Sequence, residues 1–96
     1  MADLLHIYIK PNPGVTTAQI EEKFDLALDW FKYRDHGYLV YTSKSLNVWK
    51  DRFRDLIRPD GYLLILPIDL HDYKGFMPKT IWPWLKEKKQ QIYGDE

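Results

Sequence analysis

The order of two hydrophobic periodicities constrains the fold of this chain most strongly. Alternation with a period of two residues predicts a first strand over Leu4–Lys10, and the turn residues that follow it end that strand. Helical spacing of apolar residues then predicts a helix from about Thr17 to about Leu28. Thr16 is its expected N-cap, and Gln19 completes a capping box.

The segment after this helix admits two interpretations. Aromatic and β-branched residues favour a hairpin with arms at Trp30–Arg34 and Tyr38–Thr42, joined by Asp35-His36-Gly37. The alternative is a first helix that continues to Tyr33 and is followed by one strand. We prefer the hairpin because Gly37 and its neighbour tolerate the backbone conformations of a tight turn.

A second helix and a dense apolar strand come next. The apolar stripe predicts a helix over Leu46–Ile57, capped by Ser43 or Ser45. The segment Tyr62–Ile68 predicts a strand. Because Pro67 has no amide hydrogen to donate to a neighbouring strand, this strand should lie at a sheet edge.

A short last helix is predicted from near Thr80, with Trp82 and Trp84 in its first turn. The element order is then strand, helix, strand, strand, helix, strand, with a helical appendix. This order is typical of a ferredoxin-like βαββαβ domain of the α+β class. We therefore expect one domain over residues 1–96, an antiparallel four-stranded sheet with two helices on one face, and a short C-terminal helix.

The composition excludes several kinds of protein. Basic and acidic residues balance at 14 each, whereas a general nucleic-acid binder usually carries a basic excess. The chain has no cysteine, so it has neither disulfides nor a thiolate zinc site. It has no apolar run of membrane-spanning length, and Met1–His6 does not resemble a signal peptide. We expect a cytoplasmic protein without a cofactor or a membrane partner.

The acidic and imidazole groups offer one weak catalytic candidate. Asp69, His71 and Asp72 cluster after the last strand and could supply two metal ligands. Their spacing fits no specific metal motif, and aspartates in loops commonly form turns, so we expect no bound metal. His6 lies on the first strand, where a packing or hydrogen-bonding role is the more common one.

A basic row on the second helix is a nucleic-acid candidate. Lys50, Arg54 and Arg58 recur every four residues and could contact phosphates. Asp51 and Asp55 interleave with them, at the spacing of Asp51–Arg54 and Asp55–Arg58 ion pairs. The simpler interpretation is therefore a solvated face held by salt bridges.

The outer face of the sheet is a second candidate surface. If Leu5, Ile7 and Ile9 face the helices, Tyr8 faces away from them, and Lys10 shares its face. Exposed aromatic rings on a sheet can stack with bases of single-stranded nucleic acid. The glycine-aromatic signature of RNA-recognition domains is nevertheless missing from the Tyr38–Thr42 strand.

The last strand is apolar on both faces, although two helices can cover only one. We expect a second copy of the chain to cover the other face, so that the protein is a homodimer. The alternative is that the last helix folds back over its own sheet. The expected interface residues are Leu63, Leu64, Ile65, Leu66, Trp82 and Trp84.

Five segments also carry a family resemblance. They are Tyr38–Thr42, Leu46–Ile57, Gly61–Ile65, the Gly-x-x-Pro-Lys segment over Gly75–Lys79, and Trp82–Leu85. Together they resemble small bacterial proteins of the SinR family. That family is similar to virulence-associated protein D and to the small ribonuclease-fold subunit of the CRISPR spacer-acquisition complex.

The resemblance implies a dimerising ferredoxin-like subunit in a group that includes ribonucleases and toxins. Nuclease members of this group have an aspartate at or near the end of the first strand, but here Tyr8–Pro11 occupies that place and no carboxylate lies between Asp3 and Glu21. We therefore expect a non-catalytic or degenerate homodimer. The alternatives are a ribonuclease-like toxin that uses His6, Tyr8 or the Asp69–Asp72 cluster, and a single-strand-binding module.

Overall fold

The architecture is that of a computed structural model, which describes residues 2–94. Its four strands form one antiparallel sheet in the order β2-β3-β1-β4, so that β4 and β2 are the edge strands. The α+β class, the antiparallel sheet and the edge position of the Pro67 strand are confirmed. The elements are β1 (Asp3–Lys10), α1 (Thr17–Phe24), β2 (Asp29–Arg34), β3 (Gly37–Thr42), α2 (Leu46–Ile57), β4 (Tyr62–Ile68) and α3 (Ile81–Tyr93).

The hairpin of β2 and β3 is confirmed, and the alternative of a long first helix is wrong. His36 occupies the left-handed region at φ 66° and turns the chain sharply between the two strands. Its ring Nδ1 lies 3.0 Å from the carbonyl oxygen of Ile9, which ties the turn to the neighbouring strand.

The first helix begins as predicted but ends earlier, at Phe24 rather than near Leu28. The capping box of Thr16 and Gln19 is present at its start. At its end the backbone N–H of Leu28 already donates to the carbonyl oxygen of Tyr41, at 3.0 Å. Leu28 therefore lies in the segment that leads into β2, and its amide is not available for a helical hydrogen bond.

An aromatic cluster lies between the sheet and the first two helices. The Phe24 ring stacks on Tyr38 with 4.2 Å between centroids and lies 5.0 Å from Phe53. Trp49 is fully buried beside them, and its indole N–H donates to the hydroxyl of Thr42 at 3.1 Å. The inner face of the sheet and the expected face of β1 are thus confirmed. This inner core consists of Leu5, Ile7, Ile9, Ile20, Phe24, Tyr38, Val40, Trp49, Phe53 and Ile57.

The junction between α2 and β4 is tight. Ser45, rather than Ser43, caps α2 by accepting the backbone N–H of Val48. At the other end, a Cβ on Gly61 would lie 2.4 Å from the carbonyl oxygen of Lys10 and 2.8 Å from that of Ile57. Only glycine fits this close approach, which fixes the start of β4 against the end of α2.

The last helix differs from the prediction in length and placement. It spans 13 residues and is the longest helix in the described part of the chain, rather than a short appendix. It lies on the outer face, opposite α1 and α2, and contacts β2. The sheet is therefore covered on both faces, with the two predicted helices on one side and α3 on the other. Within residues 2–94, no helix is both long enough and apolar enough to span a membrane.

Candidate functional site

The outer face of the sheet is covered in part by α3 and by the loop that precedes it. Trp84 lies against Phe31 of β2, with ring centroids 5.6 Å apart, and Trp82 stacks with Tyr73 at 6.3 Å. Both tryptophans, expected at an interface, are thus half-buried within their own chain. The buried members of this outer core are Leu4, Leu39, Leu70, Ile81 and Leu85.

A buried lysine fixes α3 in this position. The Lys88 side chain is only 3% exposed, and its Nζ lies 2.7 Å from Oδ2 of Asp29 at the start of β2. The ammonium group also lies over the rings of Tyr41 and Trp84, 5.0 and 5.2 Å from their centroids. The indole N–H of Trp84 donates to the same carboxylate at 3.2 Å.

The environment of Asp29 favours its charged form. Burial raises the pKa of this carboxyl, but the hydrogen bonds from Lys88, from the backbone N–H of Trp30 and from Trp84, together with the charge of Lys88, hold the pKa below its ordinary value. The ion pair therefore persists at neutral pH and joins the helix to the sheet edge.

Sequence reasoning missed this contact. The available signal was its spacing, because Ile81, Leu85, Lys88 and Ile92 fall on one helical stripe. A lysine on an apolar stripe needs a buried counter-charge.

Beyond α3, the outer face carries exposed apolar side chains, which we call the apolar strip. Tyr62, Leu64 and Leu66 of β4 are 64%, 52% and 47% exposed, and Tyr8 of β1, opposite Leu64, is 38% exposed. The other predicted interface residues of β4, Leu63 and Ile65, point to the inner core and are half-buried. Within residues 2–94, no strand pairs with the outer edge of β4.

His6 lies on the outer face of the sheet, between the part that α3 covers and the part that carries the apolar strip. Its Nε2 is hydrogen-bonded to the Tyr33 hydroxyl. The Tyr33 side chain passes over Gly37 to reach His6, and a Cβ at Gly37 would lie 2.7 Å from the Tyr33 ring. Burial lowers the pKa of His6 and raises the pKa of Tyr33. Both groups are neutral at pH 7 and support the packing role expected for His6.

The loop cluster of Asp69, His71 and Asp72 is organised around one carboxylate. Asp69 accepts hydrogen bonds from the backbone N–H of His71 at 2.8 Å, from the His71 ring at 2.7 Å, and from the Tyr93 hydroxyl at 3.1 Å. The backbone N–H and then the ring of His71 are the main causes that lower the pKa of Asp69. The arrangement fastens the loop to the end of α3. The described residues contain no group of three potential ligands for a metal ion.

The predicted basic row lines a cleft of about 420 Å³ between α2 and the start of β4, which we call the basic cleft. Of the two predicted ion pairs, Asp51–Arg54 forms at 2.8 Å. Asp55–Arg58 does not form within the described residues. The candidates Tyr8 and Lys10 lie elsewhere, on the outer face. The lining residues are Lys50, Arg54, Ile57, Arg58, Gly61 and Leu63.

Comparisons of the chain with protein-family models, curated proteins and solved structures found no match.

We predict unequal costs for the two halves of the Lys88–Asp29 pair. Asp29→Asn removes the nearer carboxylate of a buried ammonium and leaves only the exposed carboxylate of Glu87, 3.6 Å from Nζ, so it should cost about 3 kcal/mol of unfolding free energy. Lys88→Met leaves the carboxylate of Asp29, which is 43% exposed and can be hydrated, so it should cost less, about 1 kcal/mol. Urea unfolding at neutral pH measures both, with the exposed Lys86→Met as control.

The pH dependence checks the same pair. The pKa of Asp29 is lowered on folding, so the ionised carboxylate stabilises the folded state. This contribution to the unfolding free energy is fully present above the ordinary pKa of 3.8 and is lost as the pH falls through the folded-state pKa. Asp29→Asn should therefore destabilise less in strong acid than at neutral pH. Equal costs for both variants at every pH would contradict the ion-pair assignment.

Proposed function

We propose that the protein is a homodimeric module that assembles through the outer edge of β4 and the apolar strip. The proposal is carried by the coincidence of two features of β4. Within residues 2–94 its outer edge pairs with no strand, and it carries a row of half-exposed leucines. Exposed apolar edges of this kind are normally paired or covered.

A second copy fits this edge by symmetry. Antiparallel pairing of two β4 strands about a two-fold axis near Ile65 would place Leu64 of one copy opposite Leu66 of the other, on the outer face. On the inner side, a hollow of about 210 Å³ beside the edge exposes Leu46, which is 39% exposed. Side chains of the second copy would fill this hollow.

The apolar strip is large enough to matter. Burying the exposed halves of Leu64 and Leu66 contributes about 1 kcal/mol for each residue, or roughly 4 kcal/mol over two copies. Because α3 covers the rest of the outer face, the proposed interface is narrower than the sequence predicts and leaves out Trp82 and Trp84.

The proposal extends to the fold and the family. The position of β1 between β3 and β4 supports a ferredoxin-like arrangement of the βαββαβ elements. Membership in the SinR, virulence-associated protein D and CRISPR ribonuclease-like group, a catalytically degenerate role within it, and a cytoplasmic location remain predictions from the sequence.

We predict that Leu64→Lys dissociates the dimer. The two-fold axis introduces the charge twice into the interface, so the dimer dissociation constant should rise about 100-fold. Sedimentation at micromolar concentration should give a dimer mass for the native chain and a monomer mass for the variant.

Leu28→Lys is the matched control, since Leu28 is 64% exposed but lies away from β4, and it should leave the dimer intact. A native chain that sediments as a monomer at these concentrations would rule the proposal out.

A second candidate function is binding of single-stranded nucleic acid on the uncovered part of the outer face. Tyr8 and Tyr62 are diagonal neighbours there, and Lys10 lies opposite Tyr62. Two exposed rings beside a cation suit base stacking and phosphate contact.

If this function holds, Tyr8→Ala and Tyr62→Ala should each weaken binding of a short labelled strand about tenfold, and the exposed Phe76→Ala should not. Fluorescence anisotropy over a salt series measures it.

We predict that the purified protein does not cleave RNA or DNA with magnesium or manganese. The end of β1 carries Lys10 instead of a carboxylate, and Asp69 already accepts three hydrogen bonds. Gel analysis of labelled strands measures this. Cleavage that disappears in Asp69→Ala and His71→Ala but persists in a catalytically unrelated variant, Lys86→Met, would make the loop cluster an active site.

A further inference from the structure

The basic cleft concentrates positive charge in a chain whose net charge is zero. None of the described residues that line the cleft is acidic. Within residues 2–94, Lys50 and Arg58 make no ion pair. Arg54 pairs with Asp51, but both side chains are more than half exposed, so water competes with this pair and an incoming anion can replace it.

The backbone around the cleft is held in place by one asparagine of the β1–α1 loop. The Asn12 side chain donates to the carbonyl oxygen of Arg58 at 2.6 Å and accepts the backbone N–H of Asp60 at 2.9 Å. The backbone N–H of Asn12 donates to the carbonyl oxygen of Leu56 at 2.8 Å. Together with the close packing at Gly61, these bonds fix the backbone segment that carries Arg58. A ligand that binds there therefore loses less free energy to the ordering of this segment.

The cleft also has an apolar wall. Ile57 and Leu63 line it together with the cationic side chains. Its volume of about 420 Å³ lies within the range of small-ligand pockets, and its lining combines three cationic side chains with two apolar ones.

We propose that the basic cleft binds a phosphate group, borne either by a nucleotide or by the backbone of a nucleic-acid strand. The guanidinium groups of Arg54 and Arg58 donate paired hydrogen bonds to the phosphate oxygens, and Lys50 adds a point charge. All of the proposed phosphate contacts come from one chain, and the cleft adjoins the hollow beside β4, with which it shares Lys50 and Leu63.

Calorimetric titration with pyrophosphate, ADP and a short single strand tests the inference. Each should bind saturably at one site per chain. For the strand, the logarithm of the affinity should fall with the logarithm of the salt concentration with a slope of about −2, as expected for three cationic contacts. Tighter binding of the strand identifies a nucleic-acid backbone as the source of the phosphate, and tighter binding of ADP identifies a nucleotide.

Arg58→Gln and Arg54→Gln should each weaken pyrophosphate binding about tenfold or more, while Arg58→Lys should have a smaller effect because it keeps the charge. Arg34→Gln removes an exposed arginine at the end of β2 and is the matched control. Equal effects of Arg34→Gln and Arg58→Gln, or titrations without saturation, would overturn the assignment. Leu66→Lys disturbs the same proposed strand pairing but lines neither the cleft nor the adjoining hollow, so it should keep the native affinity, which separates this site from the dimer.

Discussion

A four-stranded sheet with two apolar faces needs a cover on each face, and this requirement organises the molecule. The inner face is covered by α1 and α2, whose aromatic side chains meet around Phe24. The outer face is covered only as far as α3 and its preceding loop extend. The remaining half-exposed leucines of β4 are therefore a consequence of where the cover ends.

The position of α3 depends on a charged contact within an otherwise apolar layer. A helix that packs by apolar contacts alone could slide over a sheet with little change in buried area. The Lys88–Asp29 pair permits few such positions, because an ammonium group that is nearly inaccessible to water must meet its carboxylate. Trp84 adds a hydrogen bond to the same carboxylate, so one residue of β2 fixes the helix at two points.

The features of functional interest converge on β4. Its outer-facing side chains form the apolar strip, its free edge has no strand partner within the described residues, and its first residues form one wall of the basic cleft. Gly61 and Asn12 hold the start of this strand against α2. The edge position follows from the sheet order and is compatible with Pro67, which cannot donate a main-chain hydrogen bond.

The sequence determined the local structure of this protein. Periodicity, caps and turn residues predict every strand, the hairpin, the start of each helix and the inner face of β1, because these depend on neighbours a few residues apart. The early end of α1 was not predictable, since the amide of Leu28 is taken by Tyr41 of another strand. Only the tertiary structure decided that α3 covers the outer face, that Lys88 is buried against Asp29, and that Arg58 lines a cleft instead of pairing with Asp55. The placement of α3 and the choice of Asp29 as the partner of Lys88 depend on distances between elements far apart in the chain, which no local pattern encodes.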